Sequence, residues 1–174
     1  MIPNLLSLSR IFLSIPVILL FSLEFYFFAS AIFILAALTD LLDGYLARKF
    51  KLNSDLGSLL DLIADKILVT VVIIWLAYHF QSTLLVVLSI LIISRELTIS
   101  HIRAFLASKN SELLSLKADK YGKLKTFFLM TSISCLLVSP VYGVYFYYFS
   151  LLILIFSVLL SLFSLQNYLR EWQD

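Results

Sequence analysis

Two pairs of aspartates lie within one 26-residue stretch, 40–65, of an otherwise apolar chain. Asp40 and Asp43 are three residues apart, and Asp61 and Asp65 are four residues apart. On a helix, each spacing places both carboxylates of the pair on one face, about one turn apart. Four ionised carboxylates lie together only when cations compensate their charge. Because neither His nor Cys lies nearby, this oxygen-only set predicts a site for hard divalent metal ions, Mg²⁺ or Mn²⁺.

Small residues and one arginine accompany the acid pairs. Gly44 and Ala47 share a helical face with the first pair, and Gly57 lies one turn before the second pair. Residues with little or no side chain let a ligand approach the backbone. Arg48 lies just over two turns beyond the start of the first pair, and an arginine beside such a site suits a phosphate or diphosphate. The alternative is a structural ion-pair network in which Arg48 and Lys66 neutralise the acids.

The composition indicates a helical membrane protein. The chain has 174 residues, of which 61% are hydrophobic and 14% charged, and its mean hydropathy is +1.02. Soluble domains average about 45–50% apolar and about 25% charged residues. Only four Gly and three Pro are present, which disfavours a strand-and-turn barrel. The single cysteine, Cys135, excludes an internal disulfide and a cysteine-based zinc site.

Hydropathy predicts one domain over residues 1–174, with a short amphipathic N-terminal segment and six membrane-spanning helices. The helices are predicted over 11–28, 30–48, 57–78, 84–106, 124–138 and 145–169. All thirteen Lys and Arg residues then map to one side of the membrane. The corners at 24–30, 79–83 and 139–144 map to the other side, where Glu24 is the only formal charge. The positive-inside rule makes the basic side, with both termini and the acid pairs, cytoplasmic.

The chain resembles the CDP-alcohol phosphatidyltransferase family at every fixed position of that family's signature. Three further segments, IPNLLSLSR, ISRELTISHIR and YGKLKT, resemble one branch of the family, the bacterial phosphatidylglycerophosphate synthases. These segments extend the similarity over most of the chain. The matching signature reads Asp40-x-x-Asp43-Gly44-x-x-Ala47-Arg48, then eight residues, then Gly57-x-x-x-Asp61-x-x-x-Asp65.

The resemblance implies a role for each signature residue. The four aspartates Asp40, Asp43, Asp61 and Asp65 would ligate two Mg²⁺ ions, with Mn²⁺ as an alternative metal. Asp65 would also act as the general base. It would deprotonate an acceptor hydroxyl that attacks the phosphorus bearing diacylglycerol in CDP-diacylglycerol and expels CMP.

The resemblance also implies how CDP-diacylglycerol is held. Its diphosphate would lie on the metals that Asp43 and the other aspartates bind, and its cytidine would lie against small residues of the two helices. The nucleotide phosphates would be contacted by an arginine, a serine and an asparagine. The implied nucleotide contacts beyond the aspartates are Asn4, Gly44, Ala47, Arg48, Ser54 and Gly57.

The acceptor is predicted from a second group of charges. Arg95, Arg103, Lys123 and Lys125 cluster at the cytoplasmic ends of the fourth and fifth predicted helices. Such a cationic pocket suits an acceptor that carries its own phosphate, such as glycerol 3-phosphate, and suits choline or ethanolamine poorly. Part of the cluster would also serve as positive-inside anchoring, and Arg95 has the alternative of a structural pair with Glu96.

Other functions remain open at this stage. The acceptor alternatives are phosphatidylglycerol, as in cardiolipin synthesis, and inositol phosphate. A cation-coupled transporter is a remote alternative, because its acids should lie near the membrane midplane with access from both sides. The resemblance further implies a homodimer in the bacterial inner membrane, with the active site facing the cytoplasm. Membrane lipid is expected around the protein, and no nucleic-acid partner is expected.

Overall fold

A computed structural model describes the backbone of residues 2–50, 55–108 and 120–173. It describes side chains over 9–39, 63–64, 66–102 and 124–166. Within these ranges the protein is all-helical and contains no strand. The six helices are α1 (Ile2–Ser22), α2 (Tyr26–Phe50), α3 (Asp55–Phe80), α4 (Thr83–Ser108), α5 (Lys120–Tyr142) and α6 (Val144–Gln173).

Each predicted helix has a counterpart in the structure, but the first corner lies earlier than predicted. The predicted amphipathic segment is part of α1, which begins at Ile2 and ends at Ser22. The prediction that the first helix runs to residue 28 and the second begins at residue 30 is therefore wrong. Glu24 adopts a φ of 65° and turns the chain, and the next helix begins at Tyr26. The turn lies at the start of the predicted corner 24–30, and the apolar run contains no Gly or Pro there that would have marked the helix ends.

The other two corners lie where they are predicted. Gln81, with a φ of 46°, separates α3 from α4, and Gly143, with a φ of 86°, separates α5 from α6. Pro140 lies inside the last turn of α5 rather than at the corner. Proline has no N–H to donate to the carbonyl one turn back. The Ser139 hydroxyl donates to that carbonyl, of Leu136, at 2.8 Å.

Aromatic contacts bring the three corners to one end of the bundle. The Phe21 ring at the end of α1 packs edge-to-face on His79 near the end of α3, with ring centroids 4.8 Å apart. Phe80 contacts Tyr147 at the start of α6, also at 4.8 Å. The three described corners therefore lie at one end of the bundle, and their place on one side of a membrane stays a prediction. This end is called the corner end, and the opposite end of the bundle is called the polar end.

The helices are joined by apolar packing and by serine hydrogen bonds. α5 packs along α6 most extensively, α1 packs against both α2 and α3, and α4 packs against α3 and α6. Buried serine hydroxyls donate to carbonyls of neighbouring helices: Ser132 to Ser150 at 2.8 Å, and Ser30 to Ser134 at 3.1 Å. Small residues with hydroxyls let helices approach closely and bond to each other in an apolar environment.

The described helices fit a membrane. Three of them are long and apolar enough to cross one, over Thr83–Ile102, Leu124–Tyr142 and Val144–Gln166. The described parts of α1, α2 and α3 are shorter apolar segments, Ser9–Ser22, Tyr26–Thr39 and Lys66–Phe80. Large apolar side chains cover much of the exterior, as expected of a surface that faces lipid.

The Gly143 corner generates a stability prediction. Beyond the adjacent residues of the chain, no atom lies within 4 Å of a Cβ built on Gly143, so substitution costs stability only through the φ of 86°. We expect Gly143→Ala to lower the free energy of unfolding by about 1–2 kcal/mol, and Gly143→Asn to cost less. In detergent, the alanine variant should melt about 2–8 °C below the wild type. A melting temperature equal to that of the wild type would contradict the left-handed corner.

Candidate active site

The backbone places the two acid pairs at one level of the bundle. At 1.5 Å per residue, Asp40 lies about 21 Å along α2 from the corner end, and Asp65 lies about 22 Å along α3 from that end. Asp43 and Asp61 lie about one turn further towards the polar end. Both helices pack against α1 and contact each other over a short stretch.

Most predicted site residues have side chains outside the described residues, so their contacts remain predictions. Ser54 lies outside the described backbone as well. The other predicted residues lie on described helical backbone but without described side chains. These are Asn4, Asp40, Asp43, Gly44, Ala47, Arg48, Gly57, Asp61, Asp65, Arg103 and Lys123.

A buried arginine that sequence reasoning did not assign to the site lies close to this level. Arg10 of α1 is completely buried, and α1 is the helix that packs against both aspartate-bearing helices. It lies about 18 Å from the corner end of α1. A guanidinium stays charged in a protein, and burying it is costly unless other groups compensate it. One sequence feature could have pointed to a functional role for this residue: Arg10 is the only Lys or Arg in the first 47 residues.

Arg95 is one of two predicted acceptor residues whose side chains are described. It lies in α4 with 5% of its side chain exposed. Its Nε donates to the Ser161 carbonyl at 3.1 Å, and its Nη2 donates to the Ser164 hydroxyl at 3.3 Å. Its Nη1 donates to Oε1 of Glu96 at 2.9 Å. The guanidinium is thus fixed to α6 through two of its nitrogens and paired with a carboxylate through the third.

Lys125 of α5 meets the same carboxylate oxygen. Its Nζ donates to Oε1 of Glu96, and its side chain is 13% exposed. The Ser157 hydroxyl donates to the Lys125 carbonyl at 2.8 Å and ties this turn of α5 to α6. Lys66 of α3 approaches from another side, where its Nζ donates to the Glu96 carbonyl at 3.4 Å. Cations from three helices therefore converge on one residue of α4.

These four residues, Lys66, Arg95, Glu96 and Lys125, are called the Glu96 cluster. The predicted pairing of Arg95 with Glu96 is present in the structure, and it is shared with Lys125. The structure thereby brings two of the four predicted acceptor residues together. The sequence did not reveal the shared partner, because Lys125 is 29 residues from Glu96 along the chain.

The Glu96 cluster lies next to the aspartate level. Lys66 directly follows Asp65 on α3, so its contact with Glu96 joins α3 to α4 beside the predicted general base. A cationic cluster beside a group of carboxylates is suited to hold an anionic substrate group near bound metal ions. Among the described side chains, no group of three or more His, Cys, Asp or Glu could hold a metal. The carboxylate-only set of the four aspartates fits Mg²⁺ in its donor chemistry.

Comparison with known proteins assigns the family. The family model for CDP-alcohol phosphatidyltransferase matches residues 1–163. The chain belongs to the CDP-alcohol phosphatidyltransferase family. The matched region contains the whole signature from Asp40 to Asp65, so the predicted resemblance is confirmed.

Relatives within this family carry one functional name over nearly their full length. A protein of Wigglesworthia glossinidia brevipalpis is 36% identical to this chain, over 99% of the chain and 96% of the relative. A protein of Yersinia pestis is 34% identical, with the same two coverages. A protein of Pseudomonas fluorescens is 33% identical, over 97% of this chain and 88% of the relative. Each is named CDP-diacylglycerol–glycerol-3-phosphate 3-phosphatidyltransferase.

The shared carboxylate predicts a measurable coupling between α4 and α5. Glu96→Gln and Lys125→Met should each destabilise the protein, because each removes one partner of a partly buried ion pair. We expect the double variant to cost about 1–2 kcal/mol less than the sum of the single changes. Reversible unfolding in mixed micelles measures all four free energies.

A second pair of variants controls for general effects of charge removal. Glu24 lies at the corner end, far from Lys125, so the effects of Glu24→Gln and Lys125→Met on the free energy of unfolding should add within about 0.5 kcal/mol. An additive result for Glu96 and Lys125 as well would show that the two groups do not interact.

Proposed function

We propose that the protein transfers the phosphatidyl group of CDP-diacylglycerol to sn-glycerol 3-phosphate, forming phosphatidylglycerol phosphate and CMP. The observation that carries this proposal is the likeness, over nearly the whole chain, to relatives named for that reaction. The family signature supports the donor substrate, since all its positions are present between Asp40 and Asp65.

The Glu96 cluster supports an acceptor that carries a phosphate. Arg95 and Lys125 are held close together beside α3, where both can donate to one anionic oxygen. Arginine and lysine bind phosphate strongly through charge-assisted hydrogen bonds. Choline and ethanolamine carry positive charge and would be repelled here. Arg103 and Lys123, eight residues beyond Arg95 and two residues before Lys125, are proposed to extend the same anion site.

In the proposed reaction, Asp65 accepts the proton of the acceptor hydroxyl. The hydroxyl oxygen forms a bond to the phosphorus that bears diacylglycerol, and the bond from that phosphorus to CMP breaks. Asp40, Asp43, Asp61 and Asp65 would hold two Mg²⁺ ions, which when bound stabilise the negative charge that develops on the diphosphate. Mn²⁺ could replace Mg²⁺, since it accepts the same oxygen ligands.

The remaining signature residues are proposed to orient the nucleotide. The proposed contacts to the nucleotide phosphates are Asn4, Arg48 and Ser54. The cytidine would lie against the small residues Gly44, Ala47 and Gly57, where little side chain obstructs the helix backbone. Positioning of this kind supplies much of the barrier reduction in group transfer.

All six helices are proposed to span the bacterial inner membrane as one domain, with the polar end and both termini cytoplasmic. The support is the distribution of charge. The ten Lys and Arg residues of the described helices lie towards the polar end, and Glu24 is the only Asp, Glu, Lys or Arg at the described corners. This orientation gives a soluble acceptor and CMP access from the cytoplasm while acyl chains remain in lipid. Family membership is the basis for proposing a homodimer.

An acceptor panel tests the proposed function directly. Purified protein in detergent with Mg²⁺ and radiolabelled CDP-diacylglycerol should form a product with glycerol 3-phosphate. Little or no product is expected with phosphatidylglycerol, inositol phosphate, glycerol or ethanolamine. Release of CMP with another acceptor but not with glycerol 3-phosphate would contradict the acceptor and retain the family reaction. Absence of CMP release with every acceptor would contradict the reaction itself.

The role of Asp65 predicts a loss of turnover without a loss of folding. Asp65→Asn keeps the shape of the side chain but removes its basicity and its charge. We expect the transfer rate to fall by about 10³-fold or more, while the variant remains folded and binds CDP-diacylglycerol at least weakly. Asp55→Asn, on the same helix but outside the signature, is the matched control and should keep its activity. Near-normal turnover by Asp65→Asn would exclude Asp65 as the base.

A further inference from the structure

The Glu96 carboxylate lies between Arg95 and Lys125, the two cations that are proposed above to bind the phosphate of the acceptor. Its Oε1 accepts from Arg95 Nη1 at 2.9 Å and from Lys125 Nζ. The two cations are therefore held at a separation that a single anionic oxygen bridges. A phosphate oxygen accepts hydrogen bonds from guanidinium and ammonium groups as a carboxylate oxygen does.

We propose that Glu96 is a placeholder anion that the phosphate of the acceptor displaces from Arg95 and Lys125. This inference rests on the proposed function, because it takes the acceptor to bear a phosphate. A neutral alcohol has no group that replaces the carboxylate, so it leaves the cations paired with Glu96. Glu96 is then a specificity-determining residue, and it acts through the two cations rather than through the reacting atoms.

The Arg95 guanidinium and the backbone of Lys125 are anchored independently of the Glu96 carboxylate. Arg95 keeps its bonds to the Ser161 carbonyl and the Ser164 hydroxyl when Nη1 changes partner. The turn of α5 that carries Lys125 is held to α6 by the Ser157 hydroxyl. The Arg95 guanidinium is thus preorganised and the α5 turn that carries Lys125 is held in place, so the anion can be exchanged without movement of either helix.

Glu96 itself is the exposed member of the group. Its side chain is 31% exposed, whereas those of Arg95 and Lys125 are 5% and 13% exposed. The carboxylate therefore has open space beside it into which it can turn when it leaves the two cations. The main chain of Glu96 is held by other contacts. Its carbonyl accepts hydrogen bonds from the Ser100 hydroxyl at 2.7 Å and from Lys66 Nζ at 3.4 Å. The side chain can move while the helix stays in place.

The test compares Glu96→Gln with the wild type. Glutamine keeps the size of the side chain and removes the competing charge. We expect the KM for glycerol 3-phosphate to fall by about three- to tenfold. The reason is that the phosphate no longer competes with the partly exposed Glu96 carboxylate for the two cations. The KM for CDP-diacylglycerol should stay unchanged. Inorganic phosphate should bind more tightly by a similar factor, measured by isothermal titration and as competitive inhibition against glycerol 3-phosphate.

The controls separate this inference from a purely structural role and from the proposed function. Glu24→Gln makes the same chemical change at the corner end and should leave all these constants unchanged. An unchanged or raised KM for glycerol 3-phosphate in Glu96→Gln, with unchanged or weaker phosphate binding, would show that Glu96 only positions the cations and would overturn the inference. Phosphate titration needs no turnover, so it decides the inference even if glycerol 3-phosphate proves not to be the acceptor.

A second variant covers the case in which Glu96→Gln does not fold. Glu96→Asp keeps the charge but is one methylene shorter, so its carboxylate reaches the two cations less well. We expect phosphate affinity between those of the wild type and the glutamine variant. Affinity equal to or below that of the wild type would contradict the placeholder role.

Discussion

Buried charge in an apolar bundle must be compensated within the protein, and this constraint organises the polar end of the molecule. Arg10 is completely buried and Arg95 nearly so, and neither guanidinium can lose its charge. For Arg95 the compensation is visible, because Glu96 and two serines of α6 surround it. The aspartates on α2 and α3 lie at a similar level, so acids and bases form one layer across the bundle. A layer of this kind suits a reaction that brings together metal ions, a diphosphate and an acceptor phosphate.

The architecture confines that layer to one end. The described corners are tight and contain no Lys or Arg, and aromatic rings such as Phe21, Phe80 and Tyr147 pack the corner end. Serine hydroxyls bind α5 to both α2 and α6 between the corners and the polar layer. These contacts thus fix the positions of the helices relative to one another along the bundle axis. Since the cations of the Glu96 cluster come from three helices, this fixed alignment lets them meet at one carboxylate.

The sequence predicted the parts of the structure that depend on local pattern. Hydropathy predicted one helix for each of the six found in the described ranges, and polar or glycine residues predicted the corners at Gln81 and Gly143. At the first corner, predicted at 24–30, the helix ends were misplaced, because a left-handed glutamate carries no compositional signal that marks where the chain turns. The family was identified from fixed spacings within two helices. The contact of Lys125 and Lys66 with Glu96 could not be predicted, because it depends on how distant helices pack against each other.

We propose above all that the four aspartates converge around a pair of divalent ions beside the Glu96 cluster. Electron paramagnetic resonance of Mn²⁺ bound to the purified protein tests it most directly, because the spectrum reports both the number of ions and the coupling between them. We expect two Mn²⁺ per chain, with the magnetic coupling of ions about 3.5–4 Å apart, and we expect that coupling to be lost in Asp61→Asn. Binding of a single uncoupled ion, or a spectrum that the Asp61 variant leaves unchanged, would contradict it.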